Sequence, residues 1–232
     1  MARLPRLVVA GQVHHLVQRG HSAMPVFVDD EDRRAYLAAL HDALRGHAVE
    51  LHAYALLDNQ VQLLLRPPSA PALSRMMQAL GRRYVAQFNR RHGRSGTIWE
   101  GRFRAGVVQA GAHTQQGLLL VDGLMARRGL AVSPATSRWS SAPHRLGLCR
   151  DPLVTDPPEF WRLGNTPFER EAAYAALLAQ GLGDALALRI EHAAASGWAL
   201  GSPQFLAEIE QQLGRPARPR AKGRPPRRTG GG

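Results

Sequence analysis

The chain has 232 residues, 30 basic against 18 acidic side chains, and a formal charge of +12. That length suits one large domain or two small ones with a core of their own, and the single cysteine, Cys149, excludes an intrachain disulfide and a multi-cysteine zinc site. No run of about eighteen apolar residues and no signal-peptide pattern occurs, so neither membrane insertion nor export is expected.

The first apolar stretch predicts a strand over residues 7–18, ended by Gly20. Asp29, Asp30, Glu31 and Asp32 then open a helix, because acidic side chains suit its positive N-terminal end. Leu37, Leu40 and Leu44 form the apolar stripe of this helix, and Gly46 is its predicted stop. Strands follow over 49–57 and 61–65, joined at Asp58-Asn59 and closed by Pro67-Pro68. The spacing predicts a helix over 72–92 with Leu73, Met76, Met77, Leu80, Tyr84, Val85 and Phe88 on its buried face. Its other face carries Arg75, Arg82, Arg83, Arg90 and Arg91. A glycine-bearing turn with Arg94 leads to Trp99-Glu100-Gly101-Arg102-Phe103-Arg104, a short strand through Val107-Val108, and a helix over 114–128. The order strand–helix–strand–strand–helix–strand is the ferredoxin-like βαββαβ pattern of the α+β class. Its antiparallel sheet carries helices on one face and leaves the other for a ligand or a partner subunit.

Residues 133–157 are rich in Pro and Ser and read as a linker after a first domain at 1–132. Thr166 is a predicted N-cap, with Pro167 at the first helical position and Glu169 closing a capping box. That helix runs to about 180, and two more, over 184–195 and from 203 to just before Gly214, complete a helical region at 158–214. Residues 215–232 are too rich in Pro, Gly and Arg to pack and predict a disordered basic tail. Its Gly223-Arg224-Pro225 core is similar to a minor-groove hook, and a non-specific phosphate tether is the competing reading.

The positive charge is localised. Residues 75–104 hold eight arginines and one acid, Glu100, and residues 215–228 hold seven basic side chains, Lys222 and Arg224 among them, with no acid. The remainder is slightly negative. Two basic patches on a near-neutral body fit a polyanion, and nucleic acid is the expected partner. The candidate contacts are Arg75, Arg82, Arg83, Arg90, Arg91, Arg94, Arg102, Arg104, Lys222 and Arg224. Glu100 either orients one of the arginines beside it or belongs to an ion-paired surface turn.

Particular runs carry a resemblance. Met1-Ala2-Arg3-Leu4-Pro5-Arg6, His14-His15, Gln18-Arg19-Gly20, Gly81-Arg82-Arg83-Tyr84-Val85, Trp99-Glu100-Gly101-Arg102-Phe103-Arg104 and Trp139-Ser140-Ser141 are similar to the REP-associated branch of the single-tyrosine HUH transposases. The resemblance spans about residues 3–214 and implies a ferredoxin-like catalytic domain that cuts and rejoins single-stranded DNA at imperfect palindromes. It also implies a bacterial, cytoplasmic, nucleoid-associated protein whose partners are single-stranded DNA hairpins and a second copy of itself. In that family two histidines flanking one hydrophobic residue hold a divalent metal. Residues two apart on a strand share a face, so both imidazoles converge on one ion, which stabilises charge on the phosphoryl oxygens. A tyrosine on a later helix attacks phosphorus and keeps the bond energy in a covalent link.

The chain departs from the family at each of these positions. Gln60 and Gln62 stand at the metal histidines, and a neutral amide is a weak substitute for imidazole. Matching Arg127-Arg128-Gly129 to the end of the nucleophile helix places Leu120 at the tyrosine and Asp122 at the glutamate beyond it. Leucine cannot attack phosphorus. The expectation is therefore a DNA-binding protein with cleavage and strand transfer lost, no metal and no cofactor. The alternative is an active Mg²⁺- or Mn²⁺-dependent transposase or endonuclease with a non-standard nucleophile; a gene product in decay is a third reading. His14, His15 and His52 either form a makeshift site beside the glutamines or serve as structural or DNA-facing groups, and adjacent histidines on a strand point to opposite faces.

Overall fold

The computed structural model describes residues 6–219. Strands β1 (Val13–Arg19), β2 (Glu50–Leu57), β3 (Gln60–Arg66) and β4 (Arg104–Val108) form one sheet in the order β2–β3–β1–β4, every neighbouring pair antiparallel. Helices α1 (Asp30–His47) and α2 (Ala70–Arg91) pack together on one face, which completes the ferredoxin-like core.

Local chemistry sets these elements. The Asp29 carboxylate accepts the amides of Glu31 and Asp32 and caps α1, and three acids occupy the first turn. The helix runs past Gly46 to His47 and ends at Ala48, which takes a left-handed φ of 52°. Alternation along β3 sends Val61, Leu63 and Leu65 into the core beneath α1 and α2 and turns Gln60, Gln62 and Leu64 the other way. The strand expected over 7–18 is shorter. A turn at Gly11, with φ 71°, separates β1 from Leu7 and Val9, which pack instead with Val107, Phe205 and Ile209.

The second sheet face is not free. Helix α3 (Ala112–Arg127) lies on β2 and β3, and a later helix, α7 (Asp184–Ser196), lies on β4 and β1. Between them come two single-turn helices, α4 (Ala142–Arg145) and α5 (Pro158–Trp161), and then α6 (Pro167–Gln180). Helix α8 (Pro203–Leu213) follows α7. The capping box of α6 forms as read: the Thr166 hydroxyl accepts the Glu169 amide while the Glu169 carboxylate accepts the Thr166 amide. Leu118, Leu120, Val121 and Leu124 of α3, Ile190 of α7 and Tyr174 of α6 join Ala53, Ala55 and Leu64 in a second core, because the α3 sequence is apolar nearly all round.

Both sheet edges are covered. Residues 139–141 and Thr155 bond to the outer edge of β2, with the Leu56 amide donating to Trp139 and the Thr155 amide to Leu51. Leu200 bridges the outer edge of β4, donating to Val107 and accepting from Gln109. Covered edges protect the sheet from pairing with other chains. Packing continues past Arg215, where composition predicts none: Ala217 is buried and accepts the Ala199 amide.

Candidate nucleic-acid interface

Gln60 and Gln62 share their sheet face with His15, beneath α3 and α7. All three are buried, and His15 Nε2 lies 2.8 Å from Gln62 Oε1. Burial pushes the His15 imidazole down to about 4, with Gln62 opposing the shift, so the ring is neutral at pH 7. These residues do not fit a divalent cation. Two neutral amides, one already engaged by a histidine, form a poor donor set for Mg²⁺ or Mn²⁺. Among the described residues, no three His, Cys, Asp or Glu side chains are grouped as metal ligands.

The other two histidines hold the backbone. His14 Nδ1 lies 2.8 Å from the Gln12 carbonyl, and its Nε2 accepts the Val9 amide at 3.1 Å, which fixes the Nδ1–H tautomer. Burial pushes this ring down to about 4 as well. His52 donates from Nδ1 to the Thr155 carbonyl at 2.7 Å and pins the segment that covers the β2 edge.

Leu120 is 2 % exposed in the second core. The chain has four tyrosines and all are buried. Tyr54 donates to Asp151 and Tyr174 to Asp122, at 2.7 and 2.6 Å, while Tyr84 donates to the Val26 carbonyl. Tyr36 meets Phe27 and Tyr84 edge-on. Burial raises the pKa of each of the four hydroxyls, the reverse of what an attacking phenolate needs.

The structure sorts the candidate arginines into three groups. Arg83 and Arg91 of α2 face the acids of α1: Arg83 pairs with Asp42, and Arg91 reaches Asp29, Glu31 and Asp32 at 2.6, 3.0 and 2.7 Å. Arg75, Arg82 and Arg90 are exposed on the same helix with no acidic partner among the described residues, and Arg94 follows, 5.9 Å from the Phe88 ring. Arg102 and Arg104 lie at the start of β4, on the wall of a cleft of about 260 Å³. Lys222 and Arg224 fall outside the described residues.

Sequence reasoning missed the third wall of that cleft. Arg6 stacks on Phe103, its guanidinium 3.8 Å from the ring centroid, and its Nε donates to the Phe103 carbonyl at 3.4 Å. Burial, then the like charges of Arg102 and Arg104, lower the Arg6 pKa. Arg6, Arg102 and Arg104 therefore crowd one opening, which Arg215 also lines, and Glu100 at the same opening forms no ion pair with those three. The opposite wall is Trp198, partly exposed at the end of α7. Gly106 makes this approach possible, since a Cβ there would collide with the Trp198 carbonyl. The only early signal for Arg6 was its place in the motif at the chain start. Trp198 gave none, because its partners are distant in sequence.

Among the described residues, no helix is long and apolar enough to cross a membrane. No protein-family model matches the sequence, and no curated protein matches it. Among solved structures, that of a REP-associated tyrosine transposase bound to a REP hairpin superposes with a TM-score of 0.53 at 12 % identity, over 68 % of this chain and 93 % of that one. A candidate transposase from Deinococcus radiodurans gives a TM-score of 0.37 at 21 % identity, over 50 % of this chain and 92 % of that one. The first likeness is one of fold.

Proposed function

We propose that this protein binds single-stranded or hairpin DNA through its arginine surface and does not cut it. The observation that carries the reading is the cleft where Arg6, Arg102 and Arg104 converge without an acidic partner among the described residues. Arg102 and Arg104 stand close enough to lower the Arg6 pKa; crowding like charges costs free energy, and a bound phosphate removes that cost. The guanidinium forks suit phosphate oxygens, and the partly exposed Trp198 supplies ring surface beside them. The transposase that shares this fold was solved on a REP hairpin, which agrees with the class of ligand.

Three features support the loss of cleavage. The metal positions are buried neutral amides, that of Gln62 engaged by His15, the nucleophile position is Leu120, and each tyrosine is enclosed in the core. The resemblance also suggests a place on the bacterial nucleoid and self-association. A second copy could not dock on the sheet, because α3 and α7 cover the face left for it.

The test is one set of labelled hairpins and linear single strands, incubated with full-length protein in Mg²⁺ or Mn²⁺. Retarded but intact DNA supports the proposal. Metal-dependent nicking shows that the chemistry has moved rather than vanished, and no binding to any strand removes the reading altogether.

A further inference from the structure

Beyond Trp198 the chain forms a second cleft, larger than the first at about 470 Å³, between the outer faces of α7 and α8. Arg189 and His192 of α7, His113 from the first turn of α3, and Arg218 beyond α8 enter it. Its lining holds no acid, and neither Arg189 nor Arg218 has an acidic partner among the described residues. Nearby carboxylates are engaged elsewhere: Glu191 binds Arg128 at 3.0 Å and Glu210 accepts the Ala217 amide at 3.0 Å. Crowding recurs here, since burial and then the charge of Arg189 lower the His113 pKa. The α8 N-terminus opens at the same place and adds its dipole to the positive field. Of these side chains only Arg218 lies in a stretch where basic residues cluster along the sequence.

The two clefts are not separate features. Trp198 lines both, and the segment that follows α8 lines them in turn, with Arg215 at the first and Arg218 at the second. Cation, partly exposed indole, cation is the arrangement that holds a single strand, with phosphates on the charges and a base on the ring. A duplex keeps its bases stacked inside and offers nothing to the indole. The volume suits a nucleotide-sized group.

We propose that the second cleft is a further phosphate-binding station for single-stranded DNA, so that one strand runs from Arg102 and Arg104 across Trp198 to Arg189, His192 and Arg218. This extends the single-strand reading of the first cleft and rests on it. Trp198 is held for the role by its backbone: its amide donates to Ala193 at 2.9 Å, and the residues after it are bonded to Ala217 and β4.

The experiment measures anisotropy of labelled oligodeoxythymidylates of about 4 and 12 nucleotides across a salt series. For full-length Arg189→Ala/Arg218→Ala, affinity for the longer strand should fall about tenfold and the salt slope should flatten by about 1.4, at roughly 0.7 per single-strand phosphate contact. Affinity for the shorter strand should stay as in the parent. Arg102→Ala/Arg104→Ala should weaken both lengths. Trp198→Ala should weaken the longer strand, and Trp198→Phe should recover part of the loss. Should the Arg189/Arg218 pair melt early, Arg218→Glu, exposed and outside any helix, carries the same comparison. If the Arg189/Arg218 pair changes neither length while the Arg102/Arg104 pair weakens both, the second station is wrong and the first cleft stands. If neither pair has an effect, the DNA reading of both clefts falls. A 12-base-pair duplex that binds equally well and responds equally to Arg189→Ala/Arg218→Ala would overturn the single-strand assignment.

Discussion

Asp122 Oδ2 lies 2.6 Å from Arg145 Nη1, and neither side chain has any exposed surface. The same carboxylate accepts the Tyr174 hydroxyl at 2.6 Å and the Ser141 hydroxyl. Ser141 is bonded in turn to the backbone of Tyr54, its amide to the carbonyl at 3.0 Å and its Oγ to the amide at 2.9 Å. The residue that replaces the glutamate after the missing nucleophile is thus a structural anchor, joining α3 to β2, α4 and α6. Removing one member of a buried pair strands the other charge and costs about 3–5 kcal/mol. Arg145→Met should lower stability by that amount in urea unfolding, and Tyr174→Phe by about 1–2 kcal/mol through the lost hydrogen bond. Asp122→Leu combined with Arg145→Met should recover much of the loss. An unchanged midpoint for Arg145→Met would show that the pair does not stabilise the fold.

No covalent protein–DNA adduct should form. Incubation with hairpins and Mn²⁺, followed by a denaturing gel, should show no shifted protein band. Leu120→Tyr alone should not create one, because Gln60 and Gln62 remain poor ligands and position 120 lies in the second core. Calorimetry should give Mn²⁺ affinity no tighter than millimolar. Micromolar binding would mean that His15 and the glutamines rearrange into a true metal site.

Stability should fall between pH 6.5 and 4. His14 and His15 are both held down to about 4 from an ordinary 6.5, chiefly by burial. In that window the unfolded chain takes up protons that the folded chain refuses, so their contribution is complete above 6.5 and is lost as pH falls to 4. Each histidine accounts for about 3 kcal/mol over the full window. A second loss begins below pH 4, as Asp29, held down to about 2 mainly by Arg91, starts to protonate. Thermal melts from pH 7 to 4 should show the first decline, and His15→Gln should flatten it. A melting temperature independent of pH over that range would contradict the buried, neutral assignment.

What the sequence could and could not reveal follows from the range of the interactions. The α2 stripe and the Thr166 capping box are local patterns, and both are present in the structure. The displaced strand at 7–18 shows the limit of apolarity as a signal: Leu7 and Val9 are buried like strand residues, but against α8 and beyond a turn at Gly11. Helix α3 read as one more helix, yet its nearly uniform apolarity meant that it must be enclosed, and it fills the sheet face left open in the sequence reading. The docking of 139–141 on β2 and of Trp198 against Gly106 depends on contacts across most of the chain, and a pattern along one sequence does not encode them. The candidate site divided in the same way. Arginines on one helix face and the acids opening α1 were visible, whereas the pairing between them was not.

That division gives the last prediction. Arg82, Arg83, Arg90 and Arg91 look equivalent on a helical wheel, but Arg83 and Arg91 are bonded to α1 while Arg82 and Arg90 project without acidic partners among the described residues. Arg91→Ala removes the cation beside Asp32, which is 2 % exposed and keeps the His92 ring at 3.0 Å. Together with Arg83→Ala, that change should lower the melting temperature and leave the salt dependence of DNA binding close to the parent's. Arg82→Ala with Arg90→Ala should do the opposite. The fold should melt as before, and the plot of log affinity against log salt should flatten by up to about 1.4, at roughly 0.7 for each phosphate no longer neutralised on a single strand. The reason is competition: an arginine already held by three carboxylates must break those bonds to reach a phosphate, and the exchange gains little, whereas an unpaired one gives up only water. If the Arg83/Arg91 pair flattens the slope and the Arg82/Arg90 pair does not, the α1–α2 ion pairs open on binding and the DNA lies over the seam between the two helices.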